Sequence, residues 1–216
     1  MTTDNPATVQ DAPVAACSAT TMADGKLTTR DFITIGVYTV LYFVLICAAA
    51  MLTNFIPGGM AVMGVACGIL GGVPYMLVLM KSRRFGAATI VGVLLALVMG
   101  VIHGNWYTIV TAVAAGVAAD LIARAGGYRK LSLNMLSAGV FNLWNLGLFL
   151  PFYIGRNDYL AAQAAKNGAE WAEQMANLFP TWMLPVIIVA NVLGGLLGAW
   201  IAKLLMRKHF QRAGLV

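Results

Sequence analysis

The chain is poor in charge, cysteine and histidine. Only 10% of its 216 residues are Asp, Glu, Lys or Arg. A soluble globule carries about 25%, so a water-facing shell is excluded. Cys17, Cys47 and Cys67 form no CxxC pair, and no spacing suits a metal. They read as small hydrophobes, two of them inside apolar runs. His103 and His209 stand far apart, and no base-plus-acid set accompanies a Ser or Thr. There are no catalytic residues to name, no cofactor and no metal site. No G-x-x-x-x-G-K-[ST] motif occurs, so the chain does not hydrolyse ATP by itself.

What is present is apolar length, with 60% of residues hydrophobic. Six runs stand out: Asp31–Phe55, Gly59–Met80, Gly86–Gly104, Trp106–Ile122, Leu131–Ile154 and Thr181–Leu205. At ~1.5 Å per residue, each reads as long enough for ~30 Å of hydrocarbon. Of the fourteen Lys and Arg residues, all but Arg156 and Lys166 fall on one side of these runs. Short connectors rich in Lys and Arg stay in the cytoplasm. The net charge of +6 is therefore a topology signal and a contact with anionic lipid. Nucleic acid is not an expected partner. The expected fold is an all-α membrane protein: a six-transmembrane-helix bundle, multi-pass in the plasma membrane, N-in/C-in, with both termini cytoplasmic. An outer amphipathic segment joins helices five and six. Residues 1–26 read as a disordered cytoplasmic tail. It lacks an apolar core, so the first run reads as its own uncleaved signal. Residues 27–216 form the membrane domain.

Local signals mark the turns. Thr28 or Thr29 caps the first helix, with Asp31 in its first turn. Pro57, Gly58 and Gly59 make an outer turn, Ser82–Gly86 an inner one, and Gly126 with Gly127 stops the fourth run. Between Gly155 and Pro180, small and apolar positions recur every three or four residues, with a gap around Gly168. This is one or two short amphipathic helices. They fit a surface-lying connector or a lid over an outward-facing pocket. Small residues repeat at i, i+4, i+8: Gly64, Gly68 and Gly72; Ala190, Gly194, Gly198 and Ala202; and, more loosely, Ala112, Gly116 and Ala119. Such stripes let helix backbones approach in lipid, or dock another membrane protein.

Polar and aromatic residues gather at the outer side. Asn54 and Phe55 end the first run; His103, Asn105 and Trp106 form the turn between the third and fourth. Asn142 and Asn145 share a face of the fifth, with Tyr153 further out. Trp182 opens the sixth, and Asn191 lies deeper. Amides in lipid are costly unless paired, so the asparagines should point inward. Together these residues supply the walls and polar groups of a substrate pocket. The competing readings are an interfacial aromatic belt and interhelical glue. Asp120 lies near the inner end of the fourth run. Either it pairs with Arg124 four residues on, or it contacts a cytoplasmic partner.

Several stretches carry a family resemblance: Leu27-Thr28-Thr29-Arg30-Asp31-Phe32, Gly36-Val37-Tyr38-Thr39, Gly71-Gly72-Val73-Pro74-Tyr75-Met76-Leu77, Ala119-Asp120-Leu121-Ile122-Ala123 and Lys208-His209-Phe210-Gln211-Arg212-Ala213-Gly214. They resemble the Trep-Strep family of integral membrane proteins. That family is similar to the substrate-binding S components of energy-coupling factor (ECF) importers. The resemblance implies six helices, an outer pocket, and power from a membrane T component with two cytoplasmic ATPases. It implies docking to the T component through small residues on the first helix. Here Gly36, Thr39 and Val40 occupy that stretch, with Val40 bulkier than the usual alanine, and Asp120 joins them as a partner contact.

The expected function is therefore capture of a small nutrient (vitamin, haem or similar micronutrient) as a substrate-binding subunit of an ABC-type importer, without enzymatic activity. A standalone secondary transporter and a non-transport assembly or sensor protein remain as alternatives.

Overall fold

The computed structural model describes residues 27–56 and 58–212, with side chains as far as Arg207. The tail 1–26 with Cys17, the turn residue Pro57, the His209 side chain and residues 213–216 lie outside the described residues. Every regular element described is helical. These are α1 (Thr29–Asn54), α2 (Gly59–Ser82), α3 (Ala87–His103), α4 (Trp106–Ala125), α5 (Leu131–Phe141), α6 (Leu146–Phe149), α7 (Arg156–Asn167), α8 (Ala169–Leu178) and α9 (Met183–Arg212). Five segments are long and apolar enough to cross a membrane: α1, α2, α4, the composite Leu131–Phe152 and Met183–Arg207 of α9. Helix α3 has 17 residues. At ~1.5 Å per residue it spans ~26 Å, a little under the ~30 Å of hydrocarbon.

The ends of the helices follow from local chemistry. Thr28 caps α1 by accepting from the Asp31 N–H at 3.4 Å, while Asp31 Oδ2 accepts from the Thr28 N–H at 2.8 Å. This reciprocal box satisfies two otherwise orphaned donors. Asp31 also meets Arg84 Nε at 3.3 Å, tying the start of α1 to the α2–α3 turn. Gly104 closes α3 at φ 57°, and Asn105 caps α4 by accepting from the Tyr107 N–H. Gly168, at φ 95°, separates α7 from α8 where the pattern has its gap.

The bundle is assembled by small residues. On α2, Gly64 faces the Asn191 side chain, Gly68 the backbone of Gly194 and Gly195, and Gly72 the backbone of Gly198. The two longest stripes thus pack on each other. Gly92 of α3 faces Ala112 and Gly116 of α4 in the same way. In lipid no hydrophobic drive separates helix from solvent, so dispersion across such close approaches supplies the attraction. Beside the α2–α9 crossing lies an aromatic core. Tyr75 stacks on Phe141 at 4.4 Å, and Tyr42 meets Phe141 edge-on at 5.7 Å. Trp144 Nε1 donates to Tyr42 Oη at 2.9 Å. Tyr75 Oη lies 2.7 Å from Ser137 Oγ, which donates to the Ala119 carbonyl.

The expected fifth helix, Leu131–Ile154, is helical from Leu131 to Phe152 but changes pitch along its length. After α5 come a 3-10 turn at Asn142–Asn145, the single turn α6, and a second 3-10 turn at Leu150–Phe152. The cause is side-chain competition with the ladder. Asn145 Nδ2 donates to the Asn142 carbonyl at 3.2 Å and to Asn142 Oδ1 at 3.0 Å. Thr111 Oγ1 of α4 takes the Trp144 carbonyl at 3.0 Å, and Asn105 Nδ2 takes that of Gly147 at 2.8 Å. Side chains that engage backbone carbonyls in this way bend and tighten a helix. Pro151, in the second turn, has no N–H to give.

The α2–α9 crossing yields a direct test. A Cβ on Gly198 would collide with the carbonyls of Gly68 and Ile69, which cannot yield, whereas Gly36 on α1 has open space around it. Gly198→Val should destabilise the protein by roughly 3 kcal/mol. Gly36→Ala should be neutral or stabilising, within about 1 kcal/mol. Thermal unfolding in mild detergent reads both.

Candidate functional site

The basic residues mark one end of the bundle. Arg30, Asp31, Lys81 and Arg84 line one cleft there, and Leu205 and Met206 of α9 come close beside Lys81. The turns after α1 and α3 and the α7–α8 segment lie at the opposite end.

At the opposite end the sequence-predicted residues divide into two sets. Asn142, Asn145 and Asn191 are buried together. Asn142 Nδ2 donates to the Gly64 carbonyl at 2.9 Å and to the Asn191 carbonyl at 2.8 Å, so one amide joins α2, the broken span and α9. Asn191 Nδ2 donates to the Ile187 carbonyl. The void between Tyr42, Gly71, Tyr75, Phe141 and Asn142 measures about 10 Å³, room for no more than one water. The asparagines thus hold helices together in this state. Asn54, Phe55, His103, Trp106 and Trp182 stand on the surface instead. Phe55 is 87% exposed. His103 Nδ1 lies 3.0 Å from the Met99 carbonyl, one turn back on its own helix. Trp106 stacks on Tyr107 at 4.2 Å. Asn105 is half-buried and braces α4 against α6 through Gly147. The structure brings the three asparagines together in the interior and leaves these surface residues exposed.

Three buried polar atoms near the break have no partner among the described residues: Thr108 Oγ1, Asn145 Oδ1 and Tyr153 Oη. Thr108 is in the first turn of α4, where a Cβ on Gly147 would strike its backbone, so it lies beside the broken stretch. Each such orphan costs about 1–3 kcal/mol.

Over this region lies the α7–α8 pair, where Tyr159 meets Phe152 edge-on at 4.9 Å and Arg156 supplies the polar contacts. Arg156 Nη1 donates to the carbonyls of Phe152 (2.9 Å) and Phe179 (2.6 Å), and Nη2 to that of Ala176 (2.7 Å). Beneath it Phe152 stacks on Phe179 at 4.7 Å, and Phe149 adds to the cluster at 5.6 Å. A groove of about 460 Å³ opens between Gly58 of the α1–α2 turn and Gln174, Met175, Asn177 and Leu178 of α8. Sequence reasoning missed Thr108 and Arg156. Thr108 gave no signal. Arg156 did, as one of two cations on the wrong side for the topology rule, which suits a guanidinium with a structural task.

At the basic end, Asp120 is fully buried, so it offers no surface to a partner. Its Oδ2 accepts from the Gly86 N–H (3.0 Å), the Thr89 N–H (2.8 Å) and Thr89 Oγ1 (2.7 Å). Its Oδ1 accepts from Tyr128 Oη at 3.2 Å. The carboxylate therefore caps α3 from α4, where the helix dipole favours negative charge. Tyr128, held at φ 57°, has its phenol raised by burial and then by the Asp120 charge. Arg124 lies 5.4 Å over the Phe85 ring. Of the other docking candidates, Thr39 is buried and donates to the Ile35 carbonyl, whereas Gly36 is half-buried and Val40 is 66% exposed on the outward face of α1.

A family model described as hypothetical bacterial integral membrane protein (Trep_Strep) matches residues 29–212. No curated protein matches. No solved structure matches.

The Asp120 cap sets the stability of the basic end. Asp120→Ala leaves several buried donors unmatched and should cost roughly 3 kcal/mol. Asp120→Asn keeps one accepting oxygen and should cost less. Denaturant or thermal midpoints in detergent distinguish them, and equal midpoints for the two variants would contradict the capping role.

Proposed function

The chain belongs to the Trep_Strep family of hypothetical bacterial integral membrane proteins, and on that footing we propose that it is the membrane-embedded substrate-binding subunit of an ECF-type importer. The protein is a multi-pass membrane protein. In this reading α3 is the sixth span, the basic end faces the cytoplasm with both termini, and the membrane is the plasma membrane. A small nutrient of the vitamin class, with haem as an alternative cargo, is captured from outside.

One observation supports this reading above others. The fifth span and the first turn of α4 beside it present three unsatisfied buried polar atoms, Asn145 Oδ1 and Tyr153 Oη from the first and Thr108 Oγ1 from the second, close to the α7–α8 pair. A ligand offering donors there would recover the free energy those atoms forfeit. Entry is by the groove between Gly58 and α8, which widens when the Arg156 clasp releases. The phenyl rings of Phe149, Phe152 and Phe179 supply the apolar wall.

Transport needs a power source. Among the described residues, Asp120 is the one fully buried carboxylate, and it is spent on the end of α3. That leaves no carboxylate near mid-membrane for ion coupling, which weighs against a standalone secondary transporter. With no nucleotide-binding motif in the sequence either, a T component and two cytoplasmic ATPases supply the energy. The outward face of α1 around Gly36 and Val40 is the docking surface.

The reading predicts that the protein purifies with its substrate. Small molecules released by denaturing the wild-type protein, identified by mass spectrometry, should include one species near equimolar amount. Asn145→Leu, with an unchanged gel-filtration profile, should retain at least about tenfold less, the loss of one buried hydrogen bond. Equal retention by the two proteins would remove Asn145 from the site. No enriched species from either, with cargo present in the medium, would count against capture.

A further inference from the structure

A second cavity belongs to neither the capture site nor the docking face. It measures about 770 Å³ and lies at the basic end. Helix α2 forms its floor through Val73 and Leu77, with Tyr38 of α1 on one wall and Leu205 and Met206 of α9 on the other. Lys81 and Arg83 line its basic end. Val73, Leu77 and Lys81 stand at i, i+4 and i+8, so they follow one face of α2 over ~12 Å. The groove therefore runs from apolar to cationic along a single line. Its apolar part lies within the candidate spans, and its cations lie at the very end of α2, Lys81 in the last turn and Arg83 at the C-cap.

The two cations are placed for an anion. Lys81 is exposed and has no ion pair or hydrogen bond among the described residues. Arg83 is the left-handed C-cap of α2 at φ 46°, and its Nε donates to the Met80 carbonyl. That bond fixes the guanidinium stem beside the groove. Lys81 also lines the neighbouring cleft of about 590 Å³, into which Arg30 and Arg84 project. Asp31 is the one acid lining that cleft, and it is engaged by Thr28 and Arg84. The local balance is strongly positive beside an apolar trough.

We propose that this groove is a binding site for an anionic glycerophospholipid, its phosphate held by Lys81 and Arg83 and one acyl chain lying along Val73 and Leu77 between α1 and α9. Charge and shape both select this occupant. A zwitterionic lipid fits the trough but brings its own cation to the two already there. A soluble anion fits the cations but leaves the trough bare. Basic pockets between spanning helices on the cytoplasmic side recognise lipid head groups in this manner.

The test is native mass spectrometry of the full chain released from nanodiscs of equal parts phosphatidylglycerol and phosphatidylcholine with identical acyl chains. The wild-type protein should retain one phosphatidylglycerol in preference to phosphatidylcholine. Lys81→Gln with Arg83→Gln should cut that preference on the order of tenfold. Arg129→Gln with Lys130→Gln removes the same charge from exposed positions outside the groove and should leave the preference unchanged. Leu77→Trp, which fills the trough, should lose the retained lipid. Equal retention of the two lipids by the wild-type protein would mean that the chain itself or another protein fills the groove, and would overturn the proposal. So would an equal drop in both charge-removal variants, which would reduce the effect to general surface attraction. Since the readout is lipid identity alone, its failure leaves nutrient capture untouched.

Discussion

The structure turns on one amide. Asn142 Nδ2 reaches the Gly64 carbonyl on α2 and the Asn191 carbonyl on α9 at the same time. It can do so because glycines let three backbones converge around it: Gly68 beside the amide itself, Gly194 and Gly195 across the crossing, and Gly139 against Val192. An amide in hydrocarbon is expensive when unpaired, so this convergence is enforced from both directions. Small residues permit the approach, and the buried polar group requires it. The break in the fifth span follows, since Asn145 then finds its partner in the Asn142 carbonyl rather than in solvent.

From that junction the two ends of the bundle differ in kind. The basic end is fastened by carboxylates. Asp120 on α4 holds the start of α3, and Asp31 on α1 holds Arg84 in the turn before it. At the opposite end a guanidinium resting on backbone carbonyls lies over stacked phenyl rings, with Tyr159 of α7 and Trp171 and Leu178 of α8 packed on the core. The first is held by carboxylates with several partners, the second by backbone carbonyls on one guanidinium and by aromatic packing. On the proposed reading a solute is captured at the second end, with motive force applied at the first.

The periodic part of this architecture was legible in sequence. The i, i+4, i+8 stripes on α2 and α9 do pack on each other, Thr28 and Asp31 do form the cap of α1, and Gly168 does divide the amphipathic connector. These are local or one-dimensional signals, and a helix of 1.5 Å rise carries them faithfully. What sequence could not supply is direction across the bundle. The cost of an amide in lipid was enough to turn Asn142 inward, but not to say that it meets Gly64 and Asn191 at one junction while Phe55 and Trp182 face outward. For Asp120 the sequence offers Arg124 as a partner, four residues away. Its hydrogen-bond partners Gly86 and Thr89 are over thirty residues away, and only the antiparallel packing of α3 on α4 brings them together. The break in the fifth span was likewise hidden, since no Gly or Pro sits at Asn142–Asn145. Side chains on α4 shape it.

The central claim is that this chain binds a substrate and draws its power from other proteins. The most direct measurement is affinity purification of the tagged protein in mild detergent, with co-purifying chains identified by mass spectrometry. The account predicts recovery of a membrane T component with two ATPases. Nutrient uptake by vesicles that contain this chain and no ATPase would contradict it.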